Sequence, residues 1–234
     1  MSDNFVQAAS NTGTTTCVVT LNSVVAGNNI SVIAQCGSTD NPTIHTVSDT
    51  PNGAYTAKGS PLQDATNNVY TQLFVLENAS AGTHTITFTS DASSALFAIA
   101  IETGTTSNPA FSGSNGSVQA SPGTGANALT SGSVTVTAAA TQYCYSNDTS
   151  VDDVTKEPSV GTGFTSRANN SNSIVGAWRL SSKAASANGA STATAITGTD
   201  RFSTLGFAIL NGAGGGSTAA SRAGMYYGRM IGAS

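Results

Sequence analysis

Residues 69–102 read VYTQLFVLENASAGTHTITFTSDASSALFAIAIE, and this stretch restricts the chain to one kind of architecture. Val69, Thr71, Leu73 and Val75 alternate with Tyr70, Gln72, Phe74 and Leu76; further on, Ile86 and Phe88 alternate with Thr85, Thr87 and Thr89. A repeat of two sends successive side chains to opposite faces of an extended chain, so both segments read as strands, the second with one wet face. Residues 96–101 are apolar in both phases, and Ala95, Ala98 and Ala100 are small enough to lie beneath another layer. A strand with no polar face has to be covered on both sides, which requires stacked sheets. The stretch is expected to form three strands joined by two short polar turns.

The rest of the chain fits an all-β plan. Strands are expected over 5–10, 14–21 and 30–36, with Cys17, Val19 and Leu21 on one face and Ile30, Val32, Ala34 and Cys36 on another. The Gly/Asn turn between the last two suggests a hairpin-like start. Asn52-Gly53 after Pro51 predicts a tight hairpin turn, because Asn-Gly supplies the positive φ that such turns need. Residues 59–68 read as a loop. The run 103–133 is rich in Gly, Ser, Thr and Asn, and is expected to hold one strand near 110–120 in an exposed loop. Further strands are expected over 133–139, 142–146, 160–167, 174–181, 192–196 and 205–210, with no helix and no tandem repeat. The reading is one antiparallel β-sandwich of ten to fourteen strands over 13–210, preceded by an N-terminal segment, 1–12, and followed by a flexible Gly/Ser/Ala linker and C-terminal arm, 211–234.

Charged residues are 9% of the chain, against about 25% in ordinary domains. The surface must therefore be built from Ser, Thr, Asn and Gly, which suits an extracellular, viral or assembly surface. Residues 1–117 carry one lysine against seven acids, net −6, and residues 118–234 carry seven basic residues against five acids, net +2. No basic stripe interleaved with aromatics is present, so nucleic acid is not an expected partner. No apolar run reaches the ~18 residues of a membrane span, and the N-terminus reads as no signal peptide. Cys17, Cys36 and Cys144 are an odd number at no metal spacing; Cys17 and Cys36 are either bridged or, as small core fillers, reduced.

Chemistry-bearing residues are sparse. His45 and His84 are the only histidines and read as solvated strand residues. Asp148, Asp152 and Asp153, with Glu157, are the one acidic cluster and a weak calcium candidate, with an exposed acidic loop as the plainer reading. Asp49, Asp91 and Glu102 are formally available as a carboxylate pair for glycoside hydrolysis, but nothing in the spacing pairs them. Trp178, Tyr143 and Tyr145 offer a glycan-stacking platform, with core aromatics as the plainer reading. After the linker, Met225, Tyr226, Tyr227, Arg229, Met230 and Ile231 form an apolar tail that a lone subunit leaves wet, and such an arm can lie along a neighbour or add a strand to its sheet edge. No catalytic residue, cofactor or metal is expected.

The runs VSDTPNGAYT (47–56), YTQLFVLENASAGTHTITFTS (70–90) and ALFAIAIE (95–102), with GTGF at 161–164, resemble a jelly-roll-like β-sandwich module of phage virion proteins and bacterial surface proteins. The turn here reads Pro-Asn-Gly where the module has Gly-Asn. The resemblance covers residues 5–210 and implies fold without any catalytic residue. Together with the missing signal peptide, it implies a non-enzymatic tailed-phage structural protein, made in the host cytoplasm and carried in the virion. Within that class it implies a capsid decoration (cement) or head-fibre-like protein, a homo-oligomer with a trimer favoured, whose partner is the major capsid protein. The alternative is a carbohydrate-binding or host-adhesion module of a tail or fibre.

Overall fold

The computed structural model describes residues 5–37, 45–64, 69–91, 95–104, 111–119, 126–134, 142–150, 160, 163–172, 176–185, 189–197 and 202–210; beyond residue 104, side chains are described only at 160, 163–169 and 179–182. Sixteen strands occupy these residues, more than the ten to fourteen expected, and there is no helix among them. They are β1 (Phe5–Gly13), β2 (Thr16–Val24), β3 (Asn29–Gly37), β4 (His45–Asp49), β5 (Gly53–Ala54), β6 (Thr56–Asp64), β7 (Val69–Leu76), β8 (Gly82–Ser90), β9 (Ala95–Thr103), β10 (Phe111–Gln119), β11 (Ala126–Val134), β12 (Gln142–Ser150), β13 (Thr165–Asn172), β14 (Gly176–Ala185), β15 (Gly189–Thr197) and β16 (Phe202–Leu210).

Every pairing among the described residues is antiparallel, and consecutive strands often change sheets. The central sheet runs β1-β9-β3-β7-β6 and the second runs β2-β8-β4-β5. The hairpin expected of β2 and β3 does not form: β2 pairs with β8, while β3 lies between β7 and β9. Likewise the three strands of 69–102 are real but unpaired with one another, because β8 crosses to the second sheet. Residues 59–64, expected as loop, belong to β6, which carries a register shift between Lys58 and Leu62. The run 103–133 holds two strands, not one. Most of the expected N-terminal segment is β1, an edge strand held to β9.

The alternation places the core. Cys17, Val19 and Leu21 of β2 and Ile86 and Phe88 of β8 face Ile30, Val32, Ala34 and Cys36 of β3 and Leu96, Ala98 and Ala100 of β9. Phe97, Ile99 and Ile101 of β9 point the other way, into a second cluster with Ile33, Leu73, Val75 and, across the next layer, Leu180 of β14. The two-phase apolar pattern of β9 is thus explained, since both of its faces are buried. The outer face of the second sheet is largely polar: Thr16, Thr20, Thr46, Ser48 and Thr85 are exposed, with Thr16, Thr89 and Thr46 in one cross-strand row and Val18 as an exposed apolar residue among them.

The strand order repeats. A third sheet runs β10-β16-β12-β14-β13, which is the central sheet with β1, β9, β3, β7 and β6 replaced in turn. The β11–β15 pair stands where β2–β8 stands in the first half. Even irregularities recur: register shifts at Phe5/Gln7 in the β1–β9 ladder and at Phe111/Gly113 in the β10–β16 ladder. Val24↔Gly82 is matched by Val134↔Gly189. β10 lies against β6 while β1 lies against β13, as a two-fold relation between the halves requires. The repeat escaped the sequence because topology constrains only the in-out alternation: where β9 reads ALFAIAIET, β16 reads FSTLGFAIL. Among the described residues only the first half has a β4–β5 hairpin.

Candidate functional site

Among the described residues, the most concentrated polar chemistry lies at one end of the first half, where three chain reversals meet. The β4–β5 hairpin turns at residues 50–52 and pairs Asp49 with Gly53, whose φ of 79° is the left-handed geometry the Asn-Gly reading requires. The β2–β3 and β7–β8 crossovers lie beside each other: Gly27 N–H donates to the Ala79 carbonyl at 2.9 Å, and Ala79 N–H donates to the Asn28 carbonyl at 2.7 Å.

Asp49 ends β4 on the inward phase, and His84 is inward on β8 in step with Ile86 and Phe88. Their side chains are fully buried, with His84 Nδ1 at 2.5 Å from Asp49 Oδ2. The Tyr55 hydroxyl donates to the same oxygen at 2.9 Å, and Asn52 N–H donates to Asp49 Oδ1 at 2.7 Å. Asn52 Nδ2 also donates to Asp49 Oδ2, and its Oδ1 accepts from Ser80 N–H, both at 3.3 Å. His84 Nε2 lies 2.9 Å from the Ser80 carbonyl. A carbonyl only accepts, so Nε2 carries a proton, and the other ring nitrogen, Nδ1, faces the Asp49 carboxyl. Asn52 Nδ2 also approaches His84 Nδ1, at 3.3 Å.

The electrostatics follow. Burial pushes the Asp49 carboxyl up, but the hydrogen bonds from His84, the Asn52 main chain, Tyr55 and the Asn52 amide outweigh it and hold the carboxyl below its ordinary value. Burial, then the charge and hydrogen bond of Asp49, push the Tyr55 phenol far above its ordinary value.

A second carboxylate is tied into the same end. Glu102 on β9 is fully buried. Its Oε1 accepts from Val25 N–H at 3.0 Å and Asn28 Nδ2 at 2.6 Å, and its Oε2 accepts from Gln7 Nε2 at 2.6 Å. Gln7 also reaches the Asn22 carbonyl at 2.7 Å, so β1, β9 and the β2–β3 crossover share one node. Asp49 and Glu102 thus sit in two separate hydrogen-bond sets, and Asp91 is exposed at the end of β8. They do not form the paired carboxylates of a glycosidase.

Nor does the Asp49–His84 pair act as a catalytic dyad in this geometry. A general base needs an imidazole lone pair aimed at a nucleophile. Here Nε2 is committed to a main-chain carbonyl, and both side chains are closed to solvent.

No protein-family model matches the chain, and no curated protein matches it. Among solved structures it is similar to a conserved protein of unknown function from Pseudomonas aeruginosa PAO1, with 9% identity over 84% of this chain and 82% of that one and a TM-score of 0.30. A likeness of that size carries no argument, so function has to be read from the chain's own residues.

The other sequence candidates fare differently. The two histidines are not solvated: His84 is wholly buried and His45 nearly so, with its ring edge-on to Tyr70 at 4.1 Å and Phe88 at 4.9 Å between centroids. The phase of each strand announced this, since His45 is in step with Val47 and His84 with Ile86. No disulfide joins Cys17 and Cys36, which lie on strands of different sheets in one apolar cluster. Asp148 is in β12, paired with Arg179 and Thr204, and so is part of a strand, not of an acidic loop. Asp152 and Asp153 lie outside the described residues, among which no metal-ligating cluster occurs. Tyr143 and Tyr145 are on β12 and Trp178 is on β14, where it pairs with Thr149 and Asn170; their side chains lie outside the description. So do Met225, Tyr226, Tyr227, Arg229, Met230 and Ile231.

Proposed function

We propose that the chain is a non-enzymatic structural protein of a phage particle, a capsid decoration (cement) or head-fibre-like protein that binds the major capsid protein as a homo-oligomer, with three copies favoured. The observation that supports this reading is how the buried acids are used. Asp49 and Glu102, the natural candidates for chemistry, hold turns together, with their oxygens turned towards donors of the chain itself. Such a cluster stiffens a scaffold and leaves no group to act on a substrate. The uncharged Thr/Ser outer face of the second sheet suits a surface displayed on a particle, and the resemblance at residues 47–56 and 70–102 points to the same class. An arm such as Met225, Tyr226, Tyr227, Met230 and Ile231 supplies apolar area that is buried only in the assembled state, where it stabilises by mass action.

The test is made on particles. The chain should co-purify with capsids in fixed ratio to the major capsid protein, capsids lacking it should disrupt at lower temperature, and deletion of residues 225–234 should abolish rebinding of the purified chain. Absence from particles, or full rebinding by the truncated chain together with selective binding on a glycan array, overturns the reading and favours adhesion.

A further inference from the structure

Asn52 is one of four asparagines followed by glycine, the others being Asn115, Asn188 and Asn211. Such a pair is prone to lose its side-chain amide, because a glycine nitrogen carries no Cβ to hinder its approach. The Gly53 main-chain nitrogen attacks Asn52 Cγ; the N–Cγ bond forms, the Cγ–Nδ2 bond breaks, and the Gly53 N–H proton departs with Nδ2 as ammonia. Water then opens the cyclic imide at either carbonyl, giving aspartate or isoaspartate. No other reactant is required.

We infer that Asn52 is a guarded deamidation site, in which the bonds closing the β4–β5 hairpin hold its carboxamide out of reaction and local opening of the hairpin releases it. The amide is held at both ends: Oδ1 by Ser80 N–H and Nδ2 by Asp49 Oδ2, each at 3.3 Å. The Asn52 main chain is held by the 2.7 Å bond to Asp49 Oδ1, and Gly53 is paired with Asp49 in the ladder. Ring closure needs Cγ bonded to the Gly53 nitrogen, and the bonds to Ser80 and Asp49 resist any side-chain rotation towards it. Asp49 is in turn fixed by His84 and Tyr55. The rate in the folded chain is therefore the intrinsic rate multiplied by the fraction of hairpins open. Solvent is close at hand, since Pro51 and Gly53 are exposed and a Cβ at Gly53 would meet nothing within 4 Å.

The product differs from the starting hairpin. Aspartate at 52 sets a second carboxylate where Nδ2 now donates to Asp49, and like charges repel. Isoaspartate adds a methylene to the main chain inside the turn, so the Asp49↔Gly53 register is lost. Opening followed by reaction is one-way, and the modified hairpin records that the molecule has opened.

The experiment incubates the full chain at mildly alkaline pH, folded and in urea, and follows each Asn-Gly peptide by mass spectrometry with isoaspartate detection. In urea all four should react alike. In the folded chain Asn52 should be slower than in urea by at least about a hundredfold. Tyr55→Phe, which removes one donor to Asp49 and keeps the ring, should raise the folded rate at Asn52 about tenfold, and Asp49→Asn should bring it closer to the urea rate. If Asp49→Asn does not fold, Tyr55→Phe decides alone. Reaction of Asn52 in the folded wild-type chain at its urea rate, or an unchanged rate in a folded Tyr55→Phe chain, overturns the proposal.

Discussion

Replacing Asp49 by asparagine changes almost no volume and isolates what the buried pair contributes. The new side chain keeps one oxygen, which can still accept from Asn52 N–H. Its amide, however, is set against the Tyr55 hydroxyl, His84 Nδ1 and Asn52 Nδ2, all of which face an oxygen in the wild-type chain. Removing one partner of a buried ion pair costs about 3–5 kcal/mol, because the other charge stays buried without compensation. Both side chains here are fully buried, so solvent screening does not soften the loss. Against a typical total of about 5–15 kcal/mol, this is roughly a fifth of the stability or more. For a chain of this size it lowers Tm by about 6–20 °C. Urea unfolding followed by far-UV circular dichroism measures the loss. The single tryptophan, Trp178, is in the second half, so comparing its fluorescence with the dichroism tells whether the halves unfold together. His84→Gln should cost a similar amount, and the double variant should fall short of the sum by about 0.5–3 kcal/mol. The pH profile supplies the sign. A carboxyl held below its ordinary value of 3.8 contributes stability that is fully present above that value and is lost as pH falls through the folded one. The gap between wild-type and Asp49→Asn chains should therefore shrink on acidification below that value. A cost under about 1 kcal/mol, additive single variants, or a gap indifferent to acid refutes the reasoning.

Other outcomes follow from the same structure. Glu102→Gln sets an amide against the donors of Gln7 or of Val25 and Asn28, and should lower stability in urea by about 1–3 kcal/mol. Phe97→Ala empties a fully buried site in the cluster between the halves and should cost about 3–5 kcal/mol; a loss below about 1 kcal/mol would show that the halves do not pack through it. Burial pushes the Cys17 thiol up to about 11, so in a Cys144→Ser background, thiol reagents should label Cys17 and Cys36 only as fast as the chain opens, and rapid labelling of the native chain counts against the closed core.

The strands and their faces were legible because a period of two survives almost any substitution that keeps the in-out pattern. Leu96 and Phe97, apolar in successive phases, foretold a layer on each side. Partner choice was not legible, since β3 and β2 differ little in local pattern yet join different sheets. The loop reading of 103–133 failed for a related reason. Gly, Ser and Asn in β10 and β11 carry little strand preference of their own, and the ladders supply it. The Asp49–His84 contact spans 35 residues of sequence and depends on two strands pairing, but the inward phase of each residue was available and pointed to burial. The resemblance at residues 47–56 and 70–90 marked the turn and strand that the contact joins, without revealing that Asp49, Tyr55 and His84 meet.

The duplicated strand order divides the chain where its charge divides. The first half and the connection after it carry the net −6, and the second half with the residues that follow it carries the net +2. A face-to-face dimer that sets equivalent halves against each other brings like fields together, acid to acid. Setting the first half of one subunit against the second half of the next brings opposite fields together and repeats around an axis. Head-to-tail contacts of that kind close into rings when the rotation between neighbours divides the circle evenly. An assembly that pairs unlike halves draws on the charge difference between them, and one that pairs like halves works against it.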